Sequence, residues 1–421
     1  MVSLYVIQFA NYILPLVTVP YLVRVLGPDH FGLVAFGQGL IAFFAVLVDY
    51  GFALSATRKI SLLRADSHAV SETACNVWAA KGLICFVAFA LLLVLVAAST
   101  RLNEVAPLLL VQYGAVIGGA MFPVWLFQGM EQMVFISAIN LATRLLVVVG
   151  IFAMVRQPGD YLLYAGLTSL GYLGAGLVGV GLAFHRFKLR LVAPSRAGMR
   201  EAFVEGWALF LSTAAISLHT TGNAFILGLM TNTTVVGYYA AAERVVRAVE
   251  GLSSPIHVAA YPRFSKLALD SRFRALLWGR RILLLMIGLG GASLLALLVG
   301  APMIVRLILG SGYDPSIAVM RVLAGLPLLV GMNKVLGIQI MLPFGRDRAF
   351  MAILVCTGLM NVLLAVVLAP ALQALGMAVA LVASEMLITV GMFAYLGHHR
   401  LSPLSRMAAE NQALSIPKGR K

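Results

Sequence analysis

The 421-residue chain is poor in charged residues and in cysteine. Asp, Glu, Lys and Arg make up 11% of its residues, whereas a typical soluble domain has about 25%. Since 61% of the residues are hydrophobic, too little polar surface remains to cover a water-soluble globule, and the composition also excludes a disordered protein. The three cysteines, Cys75, Cys85 and Cys356, form neither a CxxC pair nor a cluster with histidine, so we expect no disulfide framework.

Sequence motifs for catalysis are also missing. The chain has no GxxxxGK[ST] loop for a nucleotide, no metal-ligand cluster and no nucleophile–base set. The net charge of +15 is not concentrated on a polar domain, which disfavours a nucleic-acid binder. We therefore expect a protein that is not an enzyme and that needs neither cofactor nor metal.

What the chain has in abundance is apolar segments long enough to cross a bilayer, which takes roughly 20 residues each. We predict an all-α membrane protein with about twelve transmembrane helices. The predicted spans are 2–23, 31–55, 76–98, 105–127, 133–155, 161–184, 205–230, 236–262, 281–301, 318–342, 349–370 and 376–396.

Lysine and arginine are concentrated in alternate loops, and the opposite loops hold only Arg24, Arg101 and Arg156. Since basic loops stay on the cytoplasmic side, both termini are predicted to be cytoplasmic. The first segment, Val2–Leu22, has no basic leader and no small-residue cleavage site, so it is predicted to be a retained span.

The longest inner loop divides the spans into two sets of six. We predict an N-terminal lobe at 1–190, a linker at 191–204, a C-terminal lobe at 205–400 and a basic tail at 401–421, with the two lobes around a central cleft. The segment that begins Val236-Gly237-Tyr238 echoes Phe31-Gly32-Leu33 at the start of the second span of each lobe. This echo indicates a parallel repeat, an arrangement known in transporters.

Polar residues at helical spacing mark the eighth span. They are separated by four, three, four, three and four residues, which predicts one continuous polar stripe along a single helix. The alternative is a local ion pair between Glu243 and Arg247, which would only neutralise itself. The stripe consists of Glu243, Arg247, Glu250, Ser254, His257 and Tyr261.

Charges deep in other spans favour a water-filled cleft, because charges in hydrocarbon are costly. Arg144 lies far from both ends of its span, whereas Lys81 lies near an end and could extend to the membrane surface. The excess of basic residues suits an anion such as a phosphate group. The substrate-binding candidates are Arg144, Arg247, Lys334, Arg24, Asn11, Thr220, Asn223 and Tyr239, and the candidates for ion coupling or gating are Glu243, Glu250 and Asp49.

Several motifs resemble those of bacterial O-antigen and polysaccharide flippases, the polysaccharide transporter branch of the multidrug/oligosaccharidyl-lipid/polysaccharide exporter superfamily. They run in the same order along nearly the whole chain. They include Gln8-Phe9-Ala10-Asn11-Tyr12, Asp49-Tyr50-Gly51-Phe52, Pro123-Val124-Trp125-Leu126-Phe127-Gln128-Gly129, Gly237-Tyr238-Tyr239-Ala240-Ala241-Ala242-Glu243-Arg244 and Glu385.

The resemblance implies that the chain flips undecaprenyl-pyrophosphate-linked oligosaccharides between the leaflets of the bacterial inner membrane by alternating access. It also implies coupling to a gradient of H+ or Na+ and work alongside a polysaccharide polymerase. Asn223 departs from the family pattern, which often has an acid near this position. A multidrug or small-cation antiporter of the same superfamily is the alternative. A membrane polysaccharide polymerase fits less well, because no outer loop is long enough for a catalytic domain.

Overall fold

The computed structural model describes the backbone of residues 2–404, and it describes all of their side chains except those of residues 2–13, 15, 16, 212, 215, 216 and 218–220. The described residues form helices joined by turns and short loops, with no β-strand among them. The chain divides into two compact units, Met1–Ala240 and Ala241–Lys421. The boundary differs from that between the predicted lobes, whose division stays a prediction.

The first unit contains ten helices of the described chain and the start of an eleventh. They are α1 (Val2–Asp49), α2 (Phe52–Leu63), α3 (Ser67–Ala98), α4 (Thr100–Glu104), α5 (Ala106–Met121), α6 (Val124–Gly129), α7 (Met133–Met154), α8 (Tyr161–Phe187), α9 (Arg196–Thr220), α10 (Asn223–Met230) and the start of α11 (Thr233–Gly251), with a 3-10 turn at Pro158–Asp160.

The second unit holds the rest of α11 and the helices that follow it. They are α12 (Ser254–Asp270), α13 (Arg272–Ile304), α14 (Pro315–Leu323), α15 (Leu326–Lys334) and α16 (Asp347–His398), with π-helical segments at Val305–Leu309 and Val335–Met341. Such π segments are rare and frequently lie at functional sites. The second of them begins directly after Lys334.

Helices α1 and α16 have 48 and 52 residues, which at about 1.5 Å per residue is more than twice the thickness of a bilayer core. Each is interrupted inside. In α1, Gly27 has φ 69 and ψ 171, a conformation that glycine adopts readily, and Pro28 disfavours a helical residue before it. In α16, Gln373 breaks the helix with φ 52 and ψ −128, three residues after Pro370. Each long helix therefore supplies two membrane-length segments.

Two predicted spans end earlier than expected. The span predicted at 31–55 stops at Asp49, because Tyr50 and Gly51 both have positive φ, 47 and 75. The span predicted at 105–127 is divided after Met121, because Phe122 is extended before Pro123. Short helices, α2 and α6, follow the two breaks.

Eight stretches of the described chain are long and apolar enough to cross a membrane, which confirms an all-helical multi-pass membrane protein. The count of twelve spans stays a prediction. The eight stretches are Val17–Leu63, Ser67–Ala98, Ala106–Gly129, Met133–Met154, Pro158–Phe187, Arg272–Leu309, Pro315–Met341 and Asp347–His398.

The two short helices of the first unit pack against each other. The Thr57 hydroxyl of α2 donates a hydrogen bond of 3.2 Å to the backbone oxygen of Trp125 in α6. Ile60 and Trp125 are fully buried in one hydrophobic cluster, and a Cβ on Gly129 would come within 2.6 Å of Ile60. The motif Pro123–Gly129 thus builds a tightly packed joint, which accounts for its aromatic and glycine residues.

Candidate functional site

The second unit contains a network of four charged side chains, which we call the ionic network: Glu243, Arg247, Glu250 and Lys334. Arg247 lies 3.5 Å from Glu243 and 3.0 Å from Glu250, on the same helix α11. Lys334, at the end of α15, lies 3.0 Å from the other oxygen of Glu250. The structure therefore brings together four of the predicted site residues from two helices.

Glu250 is at the centre of the ionic network. Its side chain is 10% exposed, whereas those of Arg247 and Lys334 are 31% exposed. Removing one partner of a buried ion pair typically costs about 3–5 kcal/mol, because a charge is left uncompensated. The pair between Glu243 and Arg247 does form, but it is one edge of a larger network. The alternative of a purely local, self-neutralising pair is therefore too simple.

A second polar cluster lies beside this network. In it, neutral amide and hydroxyl groups surround a single carboxyl group. We call it the amide cluster: Asn333, Glu385 and Thr389. The Asn333 amide donates 2.8 Å to Glu385 Oε2, and the Thr389 hydroxyl donates 2.7 Å to Asn333 Oδ1. Glu385 is 6% exposed, and in the described part of the chain no Lys or Arg lies within ion-pair distance of it.

The predicted continuous stripe is wrong as a single helical face. Helix α11 ends at Gly251, and α12 begins at Ser254 with Pro255 in its first turn. Glycine favours a break, and proline cannot donate a backbone hydrogen bond in the preceding turn. Tyr261 on α12 is 40% exposed. His257 on α12 pairs at 3.3 Å with Gln339, which lies within the second π-helical segment.

In the first unit, Asp49 at the end of α1 pairs with Lys81 of α3. The Lys81 ammonium donates a hydrogen bond of 2.9 Å to Asp49 Oδ1. The Lys81 side chain is 5% exposed and that of Asp49 is 39% exposed. Lys81 therefore does not extend to the membrane surface, the option that its position near a helix end left open, because a nearby carboxylate compensates its charge inside the protein.

The two echoing segments pack on each other inside the first unit. A Cβ on Gly32 would collide with the backbone oxygen of Thr233, and a Cβ on Gly237 would collide with the backbone oxygen of Pro28. We call this reciprocal approach the glycine contact. Only residues without a Cβ allow two backbones to come this close. The echo in the sequence thus corresponds to a contact between the two segments.

Hydrogen bonds surround the glycine contact. The Thr234 hydroxyl donates to Asp29. The Arg101 guanidinium donates to the backbone oxygens of Leu229, at 3.0 Å, and of Thr231. These carbonyls lie at the end of α10, where helical carbonyls lack partners in their own helix. Arg101 is therefore a positioning residue for the corner between α10 and α11.

The remaining predicted residues are dispersed. Arg24 of α1 and Arg144 of α7 are exposed, while Asn223 and Tyr239 are buried, at 1% and 0% exposure. The side chains of Asn11 and Thr220 lie outside the described part of the structure. The roles of these residues in substrate binding stay predictions.

Sequence reasoning did not assign the amide cluster or the partner of Asp49 to a site. Glu385 is an acid within an apolar segment, but Asn333 and Thr389 are common packing residues in membrane helices. Only the fold shows that they converge on one carboxyl group. Among the described residues, no group of three or more His, Cys, Asp or Glu side chains is arranged to hold a metal ion.

Residues 1–268 match a family described as "Polysaccharide biosynthesis protein". Two curated relatives carry the name "Putative O-antigen transporter". The one from Escherichia coli (strain K12) is 32% identical over 400 residues, which cover 95% of this chain and 96% of the relative. The one from Shigella dysenteriae is 27% identical over 394 residues, 92% of this chain and 97% of the relative. The chain therefore belongs to the polysaccharide biosynthesis protein family.

The fold also matches solved membrane transporters. A structure titled "Lipid II flippase MurJ, inward closed conformation" aligns with a TM-score of 0.79 and 12% identity, over 100% of this chain and 94% of the other. An inward-facing multidrug transporter of the MATE family aligns with a TM-score of 0.72 and 14% identity, over 98% and 99% of the two chains. At these identities the similarity shows a shared fold.

Proposed function

We propose that the chain is a flippase that moves undecaprenyl-pyrophosphate-linked oligosaccharide repeat units from the inner to the outer leaflet of the bacterial cytoplasmic membrane. The units would serve O-antigen, capsule or exopolysaccharide assembly. The observation that carries the proposal is the 32% identity to the Escherichia coli relative along nearly the full length of both chains. The protein moves its substrate without changing its covalent structure.

The polar groups inside the apolar helices support this proposal. Sugars and a pyrophosphate group cannot cross hydrocarbon without polar partners, since an unsatisfied polar group there costs several kcal/mol. The ionic network provides Arg247 and Lys334, both partly exposed and both held by acids. Arginine binds phosphate oxygens through two parallel hydrogen bonds, so these cations suit the pyrophosphate group.

The glycine contact favours alternating access. Arg101 lies in one of the loops that carry few basic residues, and these loops are expected on the outer side if both termini are cytoplasmic. The glycine contact, which lies beside Arg101, is then on the outer side as well. Asp49 and Lys81 then lie toward the inner side. The described contacts thus fit a conformation closed on the outer side, where the kink of α1 meets the start of α11, and these two segments must separate before the substrate leaves outward.

Arg144 gives a direct test of the proposal. Replacing Arg144 with alanine is expected to reduce surface polysaccharide several-fold without lowering the amount of protein, because a phosphate-binding cation is lost. Polysaccharide on whole cells and protein in membranes are measured in a strain whose own flippase gene is deleted. Arg156→Ala, in a predicted outer loop, is the matched control. If the deletion strain makes the same amount of polymer with and without the wild-type gene, the flippase proposal is wrong. Unchanged output with Arg144→Ala alone removes only Arg144 from the substrate site.

We propose further that a gradient of H+ or Na+ drives transport through the acids of the second unit. Glu243 and Glu250 each lie beside a cation, so ion binding there must compete with Arg247 or Lys334. Glu385 instead has an amide partner, which leaves its carboxyl group able to exchange an ion without breaking an ion pair. Asp49 in the first unit is likewise paired, with Lys81, but there the cation is the buried partner.

Glu385→Gln is expected to abolish the effect of the gradient while sparing equilibration. A glutamine oxygen still accepts from Asn333, so the amide cluster survives, but the side chain no longer titrates. In vesicles, lipid-linked oligosaccharide should distribute between the leaflets without a gradient and should not accumulate with one. Glu201→Gln, which removes an exposed ion pair with Lys59, is the control. Gradient-driven accumulation by the Glu385→Gln protein contradicts this assignment.

A multidrug antiporter is the second candidate, because the fold also matches a MATE transporter. Such a protein needs an uncompensated acid for a cationic drug. Asp49, Glu243 and Glu250 are each accompanied by Lys or Arg. Glu385 has no such partner, but it is only 6% exposed and is bound to the Asn333 amide, so these acids favour the flippase. Drug resistance in cells that carry the gene, without any change in polysaccharide, supports the antiporter.

A further inference from the structure

The first unit contains a cavity of about 540 Å³ between α1, α3, α5 and α8. This volume is within the range of about 300–1,000 Å³ that is typical of small-molecule sites. Small residues such as Ala115 and Gly119 leave the space open. The polar part of the lining consists of Gln38, Asp49, Lys81, Gln112, Thr168 and Tyr172, with Ser169 beside Thr168.

The charge of the cavity is balanced. The two charged residues in its lining, Asp49 and Lys81, are paired at 2.9 Å. Lys81 is the buried partner, whereas the Asp49 side chain is 39% exposed and retains acceptor positions beyond the one that Lys81 occupies. The ammonium group is therefore shielded, and the charge that faces the cavity is a carboxylate, which repels a phosphate group. The cavity suits a ligand that is polar and uncharged.

The cavity is rich in hydrogen-bond acceptors. Thr168 and Ser169 donate their hydroxyl protons to the backbone oxygens of Tyr164 and Val111, at 2.9 and 2.7 Å, which leaves their lone pairs available. Gln112 is 5% exposed and donates to the backbone oxygen of Val34, at 3.1 Å. Its Oε1 atom has no partner among the described residues.

We propose that this cavity is a sugar subsite, which holds one neutral sugar residue of the lipid-linked oligosaccharide. The sugar hydroxyls donate to Asp49, Thr168 and Ser169, and Tyr172 presents an aromatic ring to the apolar face of the sugar. The assignment rests on the proposed flippase function and refines it. The pyrophosphate group binds elsewhere, because Lys81 is buried against Asp49, whereas Arg247 and Lys334 of the ionic network are each 31% exposed.

Gly119→Leu tests the subsite by filling it. A Cβ on Gly119 meets nothing within 4 Å, so leucine enters the cavity without moving the backbone. The matched control is Gly181→Leu on α8, which is exposed, lies outside the cavity lining and also has open space around it. Both proteins are purified in lipid nanodiscs, and their thermal stability is compared with that of the wild type.

Binding is measured for two probes, undecaprenyl pyrophosphate that carries the repeat unit extracted from the host strain, and undecaprenyl pyrophosphate without sugars. Gly119→Leu is expected to weaken binding of the sugar-bearing lipid about tenfold, the effect of losing one or two hydrogen bonds. It should leave the sugar-free lipid unaffected, and Gly181→Leu should change neither. Equal weakening of both probes, or no change in either, overturns the subsite.

Thr168→Val keeps the proposal testable if the leucine variant does not fold, since it removes one acceptor with little change in volume. Thr168→Val should also weaken binding of the sugar-bearing lipid only, and unchanged affinity contradicts the assignment.

The flippase proposal is tested separately by transport. A wild-type protein that binds the sugar-bearing lipid without moving it across vesicle membranes overturns the proposed function and leaves the subsite standing.

Discussion

Replacing either glycine of the glycine contact with alanine is expected to destabilise the protein and to stop transport. The added Cβ of Gly32→Ala meets the backbone of Thr233, and that of Gly237→Ala meets the backbone of Pro28. Backbone atoms cannot move aside as a flexible side chain can, so the helices must separate. Overpacking a tight contact costs about 1–3 kcal/mol or more, and we expect a fall in thermal midpoint of several degrees.

Gly82→Ala is the matched control for this prediction, because a Cβ at Gly82 meets nothing within 4 Å. Thermal unfolding in detergent and flipping in vesicles are measured for the three variants. Alanine in place of a membrane-helix glycine is otherwise favourable for helix propensity. If Gly32→Ala and Gly237→Ala match Gly82→Ala in both measurements, the two segments do not approach each other as closely as the structure has them.

The glycine contact shows what a repeated sequence can and cannot predict. The echo between Phe31-Gly32 and Val236-Gly237 predicts two related segments, and this repeat stays a prediction. It could not show that these segments touch, because a repeat alone does not specify which faces pack together. The physical sign was the glycine itself, at equivalent positions where any larger residue would keep two helices apart.

Most of the helical architecture follows from local chemistry. Apolar length predicts the membrane segments, and the breaks at Gly27 and at Phe122 follow from the proline after each. The break at Gln373 has a weaker signal, since Pro370 lies three residues before it and Gln373 itself is not a residue type that favours positive φ. Helix ends that depend on tertiary packing are therefore the least predictable part of the fold.

The sequence predicted which charged residues belong to the candidate site, but it did not predict which of them form ion pairs with each other. Arg247, Glu250 and Lys334 were identified because charges within apolar segments need a reason. Their arrangement depends on α11 and α15 meeting, which spacing along one helix cannot reveal. The same limit explains Lys81. Its position near a helix end suggested a route to the membrane surface, and only the fold supplies the nearby carboxylate of Asp49.

Asp49→Ala is expected to be far more harmful than Lys81→Met, although both break the same ion pair. Without Asp49, the buried Lys81 ammonium loses its counter-charge, which typically costs about 3–5 kcal/mol. Without Lys81, the remaining carboxylate is 39% exposed and can be hydrated from the cavity. The thermal midpoint and the amount of folded protein in membranes should both show this difference.

The double variant Asp49→Ala/Lys81→Met isolates the cause. Replacing both partners of a buried pair with apolar residues is often neutral or stabilising, so the double variant should recover most of the stability that Asp49→Ala loses. A double variant as unstable as Asp49→Ala would show that Asp49 acts through contacts other than its pair with Lys81. Recovered stability without recovered flipping would place the pair in transport, since the cavity would then be intact in shape but lack the carboxylate that accepts sugar hydroxyls.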